Sequence, residues 1–125
     1  MLGYLTLVAW VITIVVGLRM HGVKRMPVGI VLPHAALALT GPIVWIAYLA
    51  SDQSATIGWL AVAWAIAVNA LGDAANVRRW KRKADGGLGI VGTYIQRVKA
   101  RRIVLVHLSL AGVTTVLAII TVLAA

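Results

Sequence analysis

The chain has 125 residues, 62% of them hydrophobic and only 12% charged, with no cysteine, whereas a soluble domain has roughly a quarter of its residues charged. This is the composition of a membrane protein, and the missing cysteine removes disulfides, thiolate metal sites, iron–sulfur clusters and a cysteine nucleophile. There is no glutamate, and Asp52, Asp73 and Asp85 stand against twelve Lys and Arg for a net charge of +9, so paired-carboxylate catalysis has almost nothing to draw on.

In chain order, the first apolar run covers Leu2 to Leu18. Its charges, Arg19, Lys24 and Arg25, follow the apolar stretch instead of preceding it, so it reads as a retained span and not a signal peptide. The second run, Val28 to Ala50, carries Pro33 near its start, where a missing N–H costs little. Its mid-span Gly41-Pro42 pair is expected to kink it and free the Ala38 carbonyl. A tight turn follows at Ser51–Asp52–Gln53–Ser54, then a third run, Ile57 to Val77, and a fourth, Ile103 to Ala125. Each run is close to the ~20 residues needed to cross the hydrocarbon core.

Between the third and fourth runs lies a basic segment, 78–102. Within it Leu88, Val91, Ile95 and Val98 recur at helical spacing beside Arg97, Lys99, Arg101 and Arg102, the pattern of a helix lying on an anionic leaflet. Gly87-Leu88-Gly89-Ile90-Val91-Gly92 fits the spacing of a dinucleotide fingerprint, but Trp80-Lys81-Arg82-Lys83-Ala84-Asp85 before it is no strand, so it reads as a Gly-rich loop. No hydrolytic or transferase motif appears, so an enzymatic role extends at most to a redox subunit.

Runs of this length without strict alternation are helices, because a lipid-embedded backbone must satisfy its own polar groups. The expected fold is all-α: one integral membrane domain, 1–125, folded as an up-and-down four-helix bundle with short connections between sequential spans. Of the basic residues, three lie in the first loop, nine between Arg78 and Arg102, and none near Asp52. By the positive-inside rule the first and third loops are cytoplasmic and both termini face outside. Tyr4, Trp45, Tyr48 and Trp59 are expected at the outer interface, with Trp80 and Tyr94 at the inner one. The expected location is a plasma membrane, multi-pass and bacterial. Charge confined to loops and span ends binds acidic headgroups and does not suit nucleic acid.

The chain also repeats itself weakly. Ile30-Val31-Leu32-Pro33-His34 matches Ile103-Val104-Leu105-Val106-His107, an offset of 73, and Ala9-Trp10-Val11-Ile12 matches Ala63-Trp64-Ala65-Ile66, an offset of 54. Two helix-pair repeats of the same orientation are expected, related by an axis along the membrane normal.

Ionisable residues within a span are costly and suggest function. His34, His107 and Asp73 all lie within one or two turns of the cytoplasmic ends of their spans. Spans two and four are diagonal in such a bundle, roughly 11–14 Å apart when neighbours are 8–10 Å apart. Two imidazoles reaching inward can share one metal, with a planar macrocycle between the other two helices, which is the arrangement of a bis-histidine haem b. Small residues after each histidine, Ala38 and Gly41, then Ala111, Thr114, Ala118 and Thr121, are expected to leave it room. Arg19, Arg25, Arg78, Arg79, Arg101 and Arg102 are expected to meet the propionates. Asp73, with Asn69 and Asn76 on its face, is expected to orient a ligand imidazole. The bland alternative for each histidine is a hydrogen bond between helices, and for Asp73 a pairing with Arg78 or Arg79.

With His34-Ala35-Ala36-Leu37-Ala38, His107-Leu108-Ser109-Leu110-Ala111 and the Gly72-Asp73 pair before Arg78-Arg79-Trp80 in place, the chain resembles small actinobacterial four-helix, two-histidine membrane proteins. More loosely it is similar to transmembrane cytochromes b, whose four-helix cores hold haem through histidines on facing helices. Many of those carry two haems on four histidines; here one site is possible, so a quinone or another membrane subunit has to complete an electron path. The resemblance implies a haem b electron-transfer subunit. A non-catalytic accessory or assembly subunit of a larger respiratory-type complex is the alternative, and a metal or proton site on His34, His107 and Asp73 a third.

Overall fold

The computed structural model describes residues 1–22, 28–81 and 102–125, with 21–22 and 78–81 described by backbone alone. Four α-helices make up the described residues: α1 (Leu2–Leu18), α2 (Val28–Ala50), α3 (Ala55–Lys81) and α4 (Arg102–Leu123), with a 3-10 turn, Arg19–Gly22, closing α1. Each helix packs on two others, in a ring that runs α1, α2, α3, α4 and back to α1. Neighbours are antiparallel, since Thr6 meets Thr121 while Thr13 meets Thr114. The amphipathic reading of 88–98, the Gly87–Gly92 loop, Arg25, Arg101, Tyr94 and the side chains of Arg78, Arg79 and Trp80 lie outside the described residues.

Helices α2, α3 and α4 are each long and apolar enough to cross a membrane; α1 is apolar but shorter, at 17 residues. At about 1.5 Å per residue α1 is about 26 Å long, slightly under the ~30 Å hydrocarbon core. Both Pro33 and Pro42 lie inside α2, which continues as one helix from Val28 to Ala50. The turn between α2 and α3 is as tight as its sequence suggests. Asp52 and Gln53 both take positive φ, 49° and 60°. The Ser51 hydroxyl donates to the Tyr48 carbonyl at 2.9 Å, and Ser54 starts α3 by accepting from the Gly58 N–H.

The main core sits in the half of the bundle away from the basic end. It comprises Trp10, Trp45, Tyr48, Ala61, Val62, Ala65, Ala118 and Val122. Tyr4 and Trp59 are exposed, as interfacial aromatics should be, but Trp45 and Tyr48 are fully buried. They are core residues and not an interfacial belt. Trp45 stacks on Tyr48 with centroids 4.8 Å apart and donates its indole N–H to the Gly3 carbonyl at 2.8 Å. Outward faces carry Val8, Ile12, Leu39, Ile46, Ile66 and Val113. Apolar side chains outside as well as inside suit a lipid surround.

Along the α1–α4 seam, residues seven apart on each helix pair across: Thr6 with Thr121 and Thr13 with Thr114, both with Oγ1 atoms 3.1 Å apart. Each hydroxyl also lies within reach of a carbonyl of its own helix, Ala9 for Thr13 and Leu110 for Thr114, both at 2.8 Å. Two protons cannot serve three bonds, so in each pair one hydroxyl donates across the seam and the other to its own helix. Thr13→Val is expected to lower stability by about 0.6–1.7 kcal/mol, the range for bonds between membrane helices. Thermal unfolding in detergent checks this, and Thr114→Val should add little once Thr13 is gone.

Candidate functional site

His34 projects from α2 and His107 from α4, and their rings meet with centroids 6.3 Å apart and planes at 81°. The two diagonal histidines thus form a single layer, as their depth in the sequence suggests. The contacts of the two rings match each other. His34 Nδ1 lies 2.9 Å from the Val68 carbonyl on α3, and His107 Nδ1 lies 3.1 Å from the Thr13 carbonyl on α1. A carbonyl only accepts, so each Nδ1 carries the proton and donates it. In the neutral ring this leaves Nε2 with its lone pair, and among the described residues neither Nε2 has a hydrogen-bond partner.

One turn beyond each accepting carbonyl lies a glycine that admits the ring. A Cβ on Gly72 would sit 3.0 Å from His34 Cε1, and one on Gly17 would sit 2.9 Å from His107 Cε1. Thr13 and Gly17 on α1 therefore stand to His107 as Val68 and Gly72 on α3 stand to His34. The spacing between these positions is 55 residues, and between the histidines 73. Trp10 and Trp64, 54 apart, do not share a role: Trp10 packs on Gly41 and Trp45, whereas Trp64 donates to the Leu37 carbonyl at 3.0 Å. Thr13, Gly17 and Val68 went unread in the sequence. The signal was present, since aligning the chain at 55 instead of 54 superimposes Gly17 on Gly72.

A cavity of about 190 Å³ adjoins the layer; both histidines line it, along with Gly17, Ala38, Gly72 and Asn76. Of the small residues expected to make room, Ala38 lines this cavity. Gly41 is covered by the Trp10 indole, and Thr114, Ala118 and Thr121 are buried against α1 and the core. Small side chains were used there for close helix packing.

The remaining candidates separate. Asn69 donates its amide to Thr115 Oγ1 at 2.9 Å and toward the Ala111 carbonyl at 3.5 Å, latching α3 to α4. The bonds that orient the imidazoles run to backbone carbonyls instead. Asp73 is half-buried next to Gly72. Arg19 and Arg102 are exposed at the end of the bundle nearest the histidines, while Arg78, Arg79 and Arg101 cannot be placed beside them among the described side chains. Among the described residues no three His, Cys, Asp or Glu gather into a cation site.

The separation of the two rings is compatible with both ligating one metal. A metal–nitrogen bond of about 2.0–2.1 Å and about 1.2 Å from nitrogen to ring centroid, taken on both sides, put two ligating rings about 6.4 Å apart. The observed separation is 6.3 Å. Carbonyl-bound Nδ1 is also how proteins orient ligating histidines. The cavity, at about 190 Å³, is below the roughly 300–1,000 Å³ of ligand sites. No family model matches the chain, and no curated protein or solved structure matches it.

Proposed function

We propose that the chain is a membrane electron-transfer subunit that holds one b-type haem between His34 and His107, near the cytoplasmic face. The observation that carries this reading is the facing pair of histidines, each with Nδ1 donated to a carbonyl and their centroids 6.3 Å apart. All four helices cross the plasma membrane, with the basic loops inside and both termini outside, as the Lys and Arg distribution requires. The 55- and 73-residue spacings of equivalent contacts support two helix-pair halves of the same orientation.

A bound haem supplies one-electron redox chemistry. The protein's part is to present the two Nε2 lone pairs, to hold each ring against a glycine, and to keep water from the layer with apolar walls. Arg19 and Arg102 are the described cations best placed for propionates, with Arg101 next to Arg102 in sequence and Arg78 and Arg79 in the last turns of α3. Asp73 and Asn69 support the layer from α3. A site this close to one face needs a quinone or another membrane subunit to carry electrons further.

Purification from haem-replete cells and a reduced-minus-oxidised spectrum test the reading. The expected result is a Soret band and sharp α band typical of two nitrogen ligands, lost at least tenfold in His34→Ala and in His107→Ala. A preparation without a Soret band, or unchanged absorbance in both variants, overturns it. A second reading rests on the small cavity volume: the histidines tie helices together in an accessory or assembly subunit. That reading expects co-purifying chains and loss of assembly, not of colour, in the same variants.

A further inference from the structure

The direction of each imidazole lone pair follows from the other contacts of its ring. A Cβ on Gly17 would meet His107 Cε1 first, at 2.9 Å, then Nδ1 at 3.3 Å and Nε2 at 3.7 Å. Nδ1 is engaged by the Thr13 carbonyl, from the turn before Gly17. Nε2, on the other flank of Cε1, is therefore turned away from that carbonyl toward the next turn of α1. His34 repeats the arrangement on α3, with Cε1 3.0 Å from a Gly72 Cβ, Nδ1 on the Val68 carbonyl and Nε2 on the far flank. Neighbouring helices are antiparallel, so α1 and α3 run the same way and both lone pairs lean toward the same end of the layer.

Met20 stands in that next turn. It follows Gly17 by three residues, about 5 Å along the axis, within the 3-10 turn that closes α1. It is buried in a cluster with Val104, and it lines the same cavity as both histidines. One thioether and two imidazoles are thus three neutral donors bordering one cavity, and no Asp, Glu or Cys is among its described lining residues. That chemistry selects the ion. Hard cations want oxygen ligands, and Zn²⁺ fills four positions, whereas a thioether selects Cu(I) and imidazole also suits copper. Charge points the same way, because burying charge among apolar groups is costly and neutral ligands leave a monovalent ion with half the charge of a divalent one. Cu(I) has a filled d shell and accepts two or three ligands with a wide nitrogen–metal–nitrogen angle, as a ring separation of 6.3 Å requires. A single ion also fits readily into about 190 Å³.

We infer that His34 Nε2, His107 Nε2 and Met20 Sδ form a binding site for one Cu(I) ion in the packed bundle. The two imidazoles are the principal ligands, and the thioether, carried on a side chain with three rotatable bonds, completes the set. The site goes beyond the haem reading and does not rest on it. Both occupants need the same two Nε2 atoms, so one molecule holds one or the other. Met20 belongs to the copper set alone, which lets a single substitution separate the two.

Only Met1, Met20 and Met26 carry sulfur in this chain, so a sulfur neighbour of the metal can be assigned by substitution. Full-length protein, made in haem-depleted cells and held in lipid nanodiscs in thiol-free, oxygen-free buffer, is titrated with Cu(I) against a chromogenic Cu(I) chelator. The loaded form is then examined by copper-edge X-ray absorption. The expected result is one copper per chain with two nitrogen neighbours and one sulfur. His34→Ala and His107→Ala are each expected to weaken binding by more than about tenfold, the loss already typical of groups that only orient a ligand. Met20→Leu nearly conserves volume and should keep the fold, which circular dichroism of the copper-free protein checks. It is expected to lose the sulfur neighbour and to bind severalfold more weakly, while Met26→Leu matches wild type. Protein from haem-replete cells is expected to keep its Soret band in Met20→Leu. Cu(I) that stays on the chelator, equal affinity in both histidine variants, or a sulfur neighbour retained in Met20→Leu overturns the copper site, and a Soret band in the wild type then leaves the haem reading standing. Copper bound as expected by a chain that develops no Soret band supports the copper site and overturns the haem reading.

Discussion

On the haem reading proposed above, Gly17→Ala and Gly72→Ala are each expected to lower haem retention about tenfold while leaving all four helices intact. The added Cβ on Gly72 would stand 3.0 Å from His34 Cε1 and 3.4 Å from Nδ1; that on Gly17 would stand 2.9 Å from His107 Cε1 and 3.3 Å from Nδ1. Either ring has to withdraw by a few tenths of an ångström. Its Nδ1 bond then lengthens from 2.9 Å to Val68 or 3.1 Å to Thr13, and its Nε2 is displaced with it. Weakening a bond that contributes about 1 kcal/mol, together with misplacing the donor, gives the tenfold loss, equivalent to about 1.4 kcal/mol. The helices themselves gain, because alanine is better than glycine within a helix by about 1 kcal/mol. Colour and stability should therefore move in opposite directions, which a general loss of folding would not produce. Gly29→Ala and Gly112→Ala, where a Cβ meets nothing within 4 Å, should keep the wild-type spectrum. Haem content per protein by pyridine hemochrome, measured beside the thermal midpoint, decides the matter. Wild-type haem content in both seat variants would show that the glycines do not position the histidines.

Gly41→Ala has its effect on stability. The Trp10 indole occupies the space a Cβ at position 41 would need. Trp10 is 4% exposed and sits 6.3 Å from the Trp45 ring within the main core, so moving it disturbs packed neighbours. The following Pro42 fixes its own φ and limits backbone relief. Forcing a methyl group into such a core costs about 1–3 kcal/mol. In a Trp10→Phe background the ring is smaller and the same substitution should cost clearly less, a coupling that a double-mutant cycle reads directly. Thermal unfolding in detergent with near-ultraviolet circular dichroism is the measurement. Unfolding of Gly41→Ala at the wild-type temperature would mean the indole has another place to go.

The helices, the turn at Ser51–Asp52–Gln53–Ser54 and the meeting of His34 with His107 were legible because each depends on quantities local to the chain. A run of about twenty apolar residues has only one way to satisfy its backbone in lipid. Rise per residue then places two histidines at one depth. What each histidine rests on was not legible. Gly17 was not singled out, Gly72 entered only through the Gly72-Asp73 pair, Thr114 and Thr121 read as room for a ligand, and Trp45 and Tyr48 as interfacial anchors.

Those misreadings have one cause. In a soluble helix the apolar stripe reveals which face turns inward; in a chain that is 62% hydrophobic, lipid-facing and core-facing positions carry the same residue types. Rotation of each helix about its axis is then set by close packing, through contacts such as Trp10 on Gly41, Thr13 on Thr114 and each imidazole on its glycine. Composition, span lengths and the depth of the polar layer were determined by the sequence. Which seam is latched by Asn69, which residues line the cavity beside the histidines, and how the two imidazoles meet were decided only when four helices packed together. Such interdigitation depends on pairs of residues far apart in the chain, and no local pattern records it.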